Sequence, residues 1–217
     1  MKAFVITLRG HEYSERVASR CIDSGASTGG IGIERFDAIP KADALSVMAK
    51  RGIRWTWGSN NVLRHHPYPG ELASRVGCSM SHFLLWELCA ATEPLLILEH
   101  DAVFVGAFEP FEFAGVCQVN DPDGATPRGK WWSEQMVKRG PGVFPKTRVL
   151  DDPRPDGLAG NSAYVLKPHA AAALIAKVHE VGMWPNDALM CRQFFPWLEE
   201  RFPFVTRVEQ SMSTTSA

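Results

Sequence analysis

The chain has 217 residues, 23 of them basic and 24 acidic, which leaves a formal net charge of −1. That balance offers no electrostatic grip on nucleic acid or on an anionic membrane surface, although basic residues gather between Arg128 and Arg148. With 45% hydrophobic residues and seven tryptophans, it can bury the core of one sizeable domain, with or without an insertion.

Five cysteines (Cys21, Cys78, Cys89, Cys117, Cys191) are widely spaced and odd in number. They form no CxxC pair, so neither a zinc framework nor a secreted disulfide scaffold is expected. The apolar stretch after Lys2 reaches Arg9 within a few residues, too short for a signal peptide or membrane span. The expected location is cytoplasmic, the cytoplasmic face of a membrane included.

In chain order, Ala3–Leu8 reads as a first buried strand. Glu12–Ser24 has helical spacing, with Tyr13, Val17 and Cys21 four apart and Gly25 placed as a C-terminal stop. Ile31–Phe36 reads as a second strand leading into Asp37-Ala38-Ile39-Pro40. This β-α-β opening predicts an α/β fold with a mostly parallel sheet and a Rossmann-like nucleotide-type first half. Arg9, just past the first strand, and Arg16, in the helix, are in reach of a phosphate or a base edge at the top of the sheet. Two solvated arginines are the alternative.

Lys41–Arg51 predicts a short helix ended by Gly52. Residues 53–69 read as an irregular surface loop containing Trp55, Trp57, His65 and His66; no zinc-ligand spacing accompanies the histidine pair. In Gly70–Ala91 a helix is expected from Ser79 onward, with Met80, Phe83, Leu84, Leu88 and Ala91 as its buried stripe. His82, Trp86 and Cys89 fall on a neighbouring face. Gly77, just before that helix, leaves the backbone open to close approach by a ligand.

Pro94–Phe104 (PLLILEHDAVF) is the central stretch. Leu95–Leu98 is a short apolar run without alternation, as in a strand buried on both faces. Glu99, His100 and Asp101 follow, beyond a strand end, where ligands bind in open α/β sheets. A straight strand would aim the carboxylates of Glu99 and Asp101 to one side. Two hard oxygen ligands suit Mn²⁺ or Mg²⁺, while solvated charges at a strand end are the alternative.

Residues 118–160 are rich in Pro, Gly and Asp, carry Trp131-Trp132, and read as an irregular acceptor-facing loop or an insertion without a role. Asn161–Leu166 predicts a strand and Pro168–Glu180 a helix with proline in its first turn. Ala188–Phe195 reads as another helix and Phe202–Val208 as a last strand, before a polar tail from Gln210 to Ala217.

Four segments, in this order, resemble glycosyltransferase family 25, the group of lipooligosaccharide and collagen β-galactosyltransferases. They are FVITLRG with SER and FDAI after it; GELASRVGCSMSHFLLWE; LLILEHDAVF; and GNSAYVLKPHAAAALI with WPNDALM after it. The closing QSMSTTS is also similar to the family's end. The resemblance implies a single GT-A-like domain, with a nucleotide-sugar-binding half over 1–105 and an acceptor-side half over 106–217. It also implies an inverting, Mn²⁺-assisted transfer of galactose or another hexose from a UDP-sugar to a saccharide acceptor such as lipopolysaccharide or another glycan. The family's acidic triplet after the central strand falls on Glu99 and Asp101, with His100 where the family has Asp.

In that reading Asp101 is the direct metal ligand, and Glu99 binds metal through water or holds the ribose. Arg9 contacts donor phosphate or base, and His82 contacts donor or braces the sheet. Asp187, in the Pro-x-Asp piece, is the catalytic base, with helix capping as the alternative for Asn186 or Asp187. Two rivals stand beside it: a decayed nucleotide-sugar-binding relative, and a hydrolase ligating metal through Glu99, His100 and Asp101.

Overall fold

Alternating apolar side chains make the first strand a divider between two cores. In β1 (Lys2–Thr7) Ala3 and Val5 pack on one face of the sheet, and Phe4 and Ile6 on the other. The computed structural model describes residues 1–59, 62–63, 70–125, 128–148, 154–158 and 160–209. The histidine pair His65-His66 and the tail from Gln210 lie outside the described residues.

The chain continues through α1 (Glu12–Ser24), β2 (Glu34–Asp37), α2 (Lys41–Lys50), α3 (Leu72–Ala91), β3 (Leu95–Glu99), β4 (Ala102–Phe104), β5 (Val116–Gln118) and β6 (Asn120–Asp121). Then come α4 (Gly129–Arg139), β7 (Gly142–Pro145), β8 (Ala163–Leu166), α5 (Pro168–Val181), α6 (Asn186–Leu189), β9 (Leu198–Phe202) and β10 (Thr206–Val208).

Among the described residues a seven-stranded sheet runs β2-β1-β3-β8-β5-β9-β7, and a small one runs β4-β10-β6. In the large sheet β1, β2, β3, β5 and β9 point one way, with β8 and β7 against them. The sheet is therefore mostly parallel in direction, as the β-α-β opening predicts. Leu95, Leu96, Ile97 and Leu98 are completely buried, because α2, α3 and α5 cover one face and α1 with β4 the other. β2 lies on one side of β1 and β3 on the other, so the chain reverses its winding between β1 and β3. In such sheets a crevice opens at the carboxyl ends of those two strands.

Several boundaries differ from expectation. Gly25 does not stop α1: it stays right-handed and leads into a π-helical turn over Gly25–Gly29, closed by Gly30 at φ 67°, a left-handed conformation glycine adopts without strain. α3 begins at Leu72, seven residues before the expected start, although SRVGCSMS is poor in helix formers. Burial overrides propensity there: Val76, Gly77, Ser79 and Ser81 are all buried, and Ser81 Oγ donates to Gly77 O at 2.7 Å.

The buried side of α3 includes Met80, Phe83, Trp86 and Cys89, whereas Leu84 and Leu88 are half-buried and Ala91 exposed. The 118–160 stretch is partly ordered, since Trp132 and Met136, four apart, give α4 a buried face and β7 pairs with β9. Within the expected surface loop Ile53 and Trp57 are core residues. Asn186–Leu189 is a single short turn in place of a helix over Ala188–Phe195. No helix among the described residues is long and apolar enough to cross a membrane.

Candidate active site

Side chains of α1 brace the turn leaving β1. Leu8 N–H donates to Ser14 Oγ at 3.0 Å and Gly10 N–H to Glu15 Oε1 at 2.8 Å, while His11 Nδ1 caps the helix by accepting from Ser14 N–H at 3.3 Å. The turn presents Arg9 outward, with its side chain 81% exposed and 3.0 Å from Asp37 at the end of β2. An ion pair this exposed contributes little, so the guanidinium can exchange Asp37 for an incoming anion at small cost. Arg16 is exposed too, stacked 5.6 Å over the Tyr13 ring. Tyr13 in turn meets His100 edge-on at 6.2 Å.

Across the crevice, α3 supplies Cys78 and His82. His82 is fully buried, and its Nδ1 lies 2.9 Å from the Tyr164 hydroxyl, which also accepts from Trp86 Nε1–H at 2.8 Å. Its Nε2 points towards Glu99, 3.4 Å from Oε1, yet makes no hydrogen bond. Glu99 ends β3 on the face shared with Leu95 and Ile97, the α3 side. Its backbone N–H is held by Ser162 O at 2.8 Å.

Beyond Glu99 the chain turns instead of running straight, so Glu99 and Asp101 do not line one face of a strand. Asp101 is buried, and its Oδ1 has no hydrogen-bond partner. Burial, with the nearby Glu99 charge second, pushes its carboxyl up to about 7. His100 is held below the usual histidine range, chiefly by burial, with Glu99 opposing the shift.

The third wall is the Met183–Asp187 segment. Trp184 is fully buried, edge-on to Trp57 at 5.4 Å, and its Nε1–H donates to Thr56 Oγ1 at 2.9 Å. Leu158 N–H donates to Asp187 O at 3.2 Å. A Cβ on Gly157 would stand 2.1 Å from that carbonyl, so the two strips of chain lie flush. Buried Asn186 brings its Oδ1 to 4.0 Å from Cys78 Sγ. The Cys78 thiol is pushed well above its ordinary range by burial first, then by the charges of Glu99, Asp187 and Asp101. The three carboxylates whose charges act on Cys78 come from β3, the turn after it, and α6.

Of the residues singled out in the sequence, Arg9 follows the end of β1 beside Glu99 at the end of β3, His82 faces Glu99, Arg16 is linked to His100 through Tyr13, and the charges of Asp101 and Asp187 act on Cys78. Gly77 stands apart. It lies inside α3, and a Cβ there would meet Ile39 O at 2.6 Å. Its smallness seats the 37–40 loop, which Ser81 Oγ also holds by accepting from Ile39 N–H at 2.9 Å. Cys78, Asn186 and Tyr164 were not anticipated. Cys78 was open to inference, because it precedes His82 by four residues on one helix face. Asn186 and Tyr164 come from distant elements and carry no such signal.

Two carboxylates, one with a buried oxygen lacking any partner, form a donor set that fits a hard divalent cation. Among the described residues the group whose ligand atoms lie within 4.8 Å of one another is instead Cys78, His82 and Glu99. His100 and Asp101 fall outside it.

A model of glycosyltransferase family 25, described as LPS biosynthesis protein, matches residues 1–118. This chain belongs to glycosyltransferase family 25. Its chemistry is therefore glycosyl transfer, and the matched residues run from β1 to β5, taking in every residue singled out in the sequence except Asp187. No match was found among curated proteins. Among solved structures, apo mouse xyloside xylosyltransferase 1 is similar over 90% of this chain and 80% of that one, with 10% identity and a TM-score of 0.37. A likeness that loose bears on no residue of this family 25 site.

Proposed function

We propose that this family 25 protein moves a hexose, galactose first among the candidates, from a UDP-sugar to a hydroxyl of a saccharide acceptor such as lipopolysaccharide or another glycan, with inversion at the anomeric carbon. The observation that carries the reading is that Glu99 ends β3 at the winding reversal between β1 and β3, with Asp101 two residues on, buried and with one oxygen lacking a partner. Glu99 and Asp101 would hold Mn²⁺ or Mg²⁺, which when bound supplies Lewis-acid neutralisation of the donor's diphosphate. Arg9, at the end of β1, binds a donor phosphate or the base in exchange for Asp37, and Arg16 adds positive charge at the same rim.

Asp187 takes the proton from the acceptor hydroxyl. As that oxygen bonds to the anomeric carbon, the carbon–phosphate oxygen bond breaks and its electron pair leaves with the nucleoside diphosphate. His82, locked by Tyr164, stands beside Glu99 on the α3 side.

Titration calorimetry with a panel of nucleotide sugars, with and without Mn²⁺, tests this on the wild type and Asp101→Ala. Mn²⁺-dependent binding of one UDP-sugar, lost in the variant, is the expected result. Metal-independent binding without turnover would instead indicate a binding-only relative, and no binding to any nucleotide sugar would overturn the assignment.

A further inference from the structure

We propose that Cys78, His82 and Glu99 form a binding site for a thiophilic divalent cation, Zn²⁺ by its chemistry, which shares Glu99 with the carboxylate pair expected to hold the donor's metal. Cys78 and His82 lie four apart on α3, so the helix aims both at the end of β3. Their ligand atoms and a carboxylate oxygen of Glu99 lie within 4.8 Å of one another. Tetrahedral coordination at bond lengths of about 2.0–2.3 Å sets ligand atoms about 3.3–3.8 Å apart. His82 Nε2 and Glu99 Oε1 already stand at 3.4 Å.

A second observation points to a missing partner. His82 is completely buried, yet its Nε2, aimed into this group, has no hydrogen bond. A buried nitrogen left unpartnered costs free energy that coordination would recover. The other ring nitrogen is arranged as metal-binding histidines require. Tyr164 Oη sits 2.9 Å from Nδ1 and can accept its proton, which leaves the Nε2 lone pair for a metal.

Access remains open because Cys78 is half-buried and the Glu99 side chain is 33% exposed. On binding, the sulfur–hydrogen bond of Cys78 breaks, the proton passes to solvent and a metal–thiolate bond forms. Three protein ligands leave a fourth position for water. A thiolate and an imidazole select zinc over manganese or magnesium, so occupancy here would draw Glu99 away from the harder cation.

Co²⁺ titration of the reduced, full-length protein, with no nucleotide sugar present, tests the site by optical absorption. The expected result is a thiolate-to-cobalt charge-transfer band saturating at one equivalent. Zn²⁺ should displace it, and Mn²⁺ should not. Cys78→Ser should abolish the band, and Glu99→Gln should weaken Zn²⁺ binding about tenfold or more while far-ultraviolet circular dichroism stays unchanged. An absent band in the wild type, or an equal band in Cys78→Ser, would overturn the proposal. Neither readout involves sugar transfer, so loss of the transferase assignment would leave this result standing.

Discussion

Asp101 is a carboxylate kept where water cannot reach it. Its pKa in the fold, about 7, stands above the ordinary 3.8, so the folded state prefers the protonated form. The stabilisation is complete below about pH 4 and is lost as pH climbs through about 7. Asp101→Asn should therefore melt higher than wild type at about pH 8 without added metal, by roughly 4 °C or more, and equally at about pH 4. Melting curves at the two pH values check this. In the proposed transferase the same variant should lose activity, a stability gain bought with function.

Tyr164 serves two neighbours from one oxygen. Tyr164→Phe strands Trp86 Nε1–H and His82 Nδ1 in the core, and should cost about 1–3 kcal/mol in denaturant unfolding.

At the level of elements, α3 carries the site because its small and polar residues let it lie close to the loops around it. Gly77 admits the Ile39 carbonyl, and Ser81 ties Ile39 N–H to the helix. Gly77→Ala would push a methyl into that carbonyl at 2.6 Å, and the 37–40 loop must move. The expected cost is about 1–3 kcal/mol, above any helix-propensity gain from alanine. Because Asp37 begins that loop and pairs with Arg9, donor KM should rise more than kcat falls; steady-state kinetics over a range of donor concentrations separates the two. The Trp184–Trp57 contact and the Thr56 hydroxyl anchor the segment before α6 in the same way, from the part of the 53–69 stretch that the structure describes.

Across the whole molecule the sheet joins both halves of the chain, and its far edge depends on a buried charge. Lys146 is fully buried, 3.0 Å from Glu200 and 3.6 Å over the Trp132 ring. Glu200 also accepts from Thr147 N–H at 2.9 Å. Lys146→Met should cost about 3–5 kcal/mol in urea unfolding, because Glu200 is left buried without its counter-charge. Lys146→Met with Glu200→Gln should cost less than the single change.

Period and run length in the sequence were enough for α1, for β1, and for β3 as a strand buried on both faces. Those patterns report directly which faces meet a core. They also singled out Glu99 and Asp101 as candidates, because ligands bind beyond the carboxyl ends of the strands in open α/β sheets. The start of α3 was hidden, since tertiary burial outweighed the weak propensities of Ser and Gly. Only the tertiary structure decided that Gly77 fits a carbonyl, that Asp101 turns off the strand, and that Asn186 and Tyr164 join Cys78 and His82. The Asn186–Cys78 and Tyr164–His82 contacts link residues about eighty to one hundred apart, and local pattern holds no information at that range.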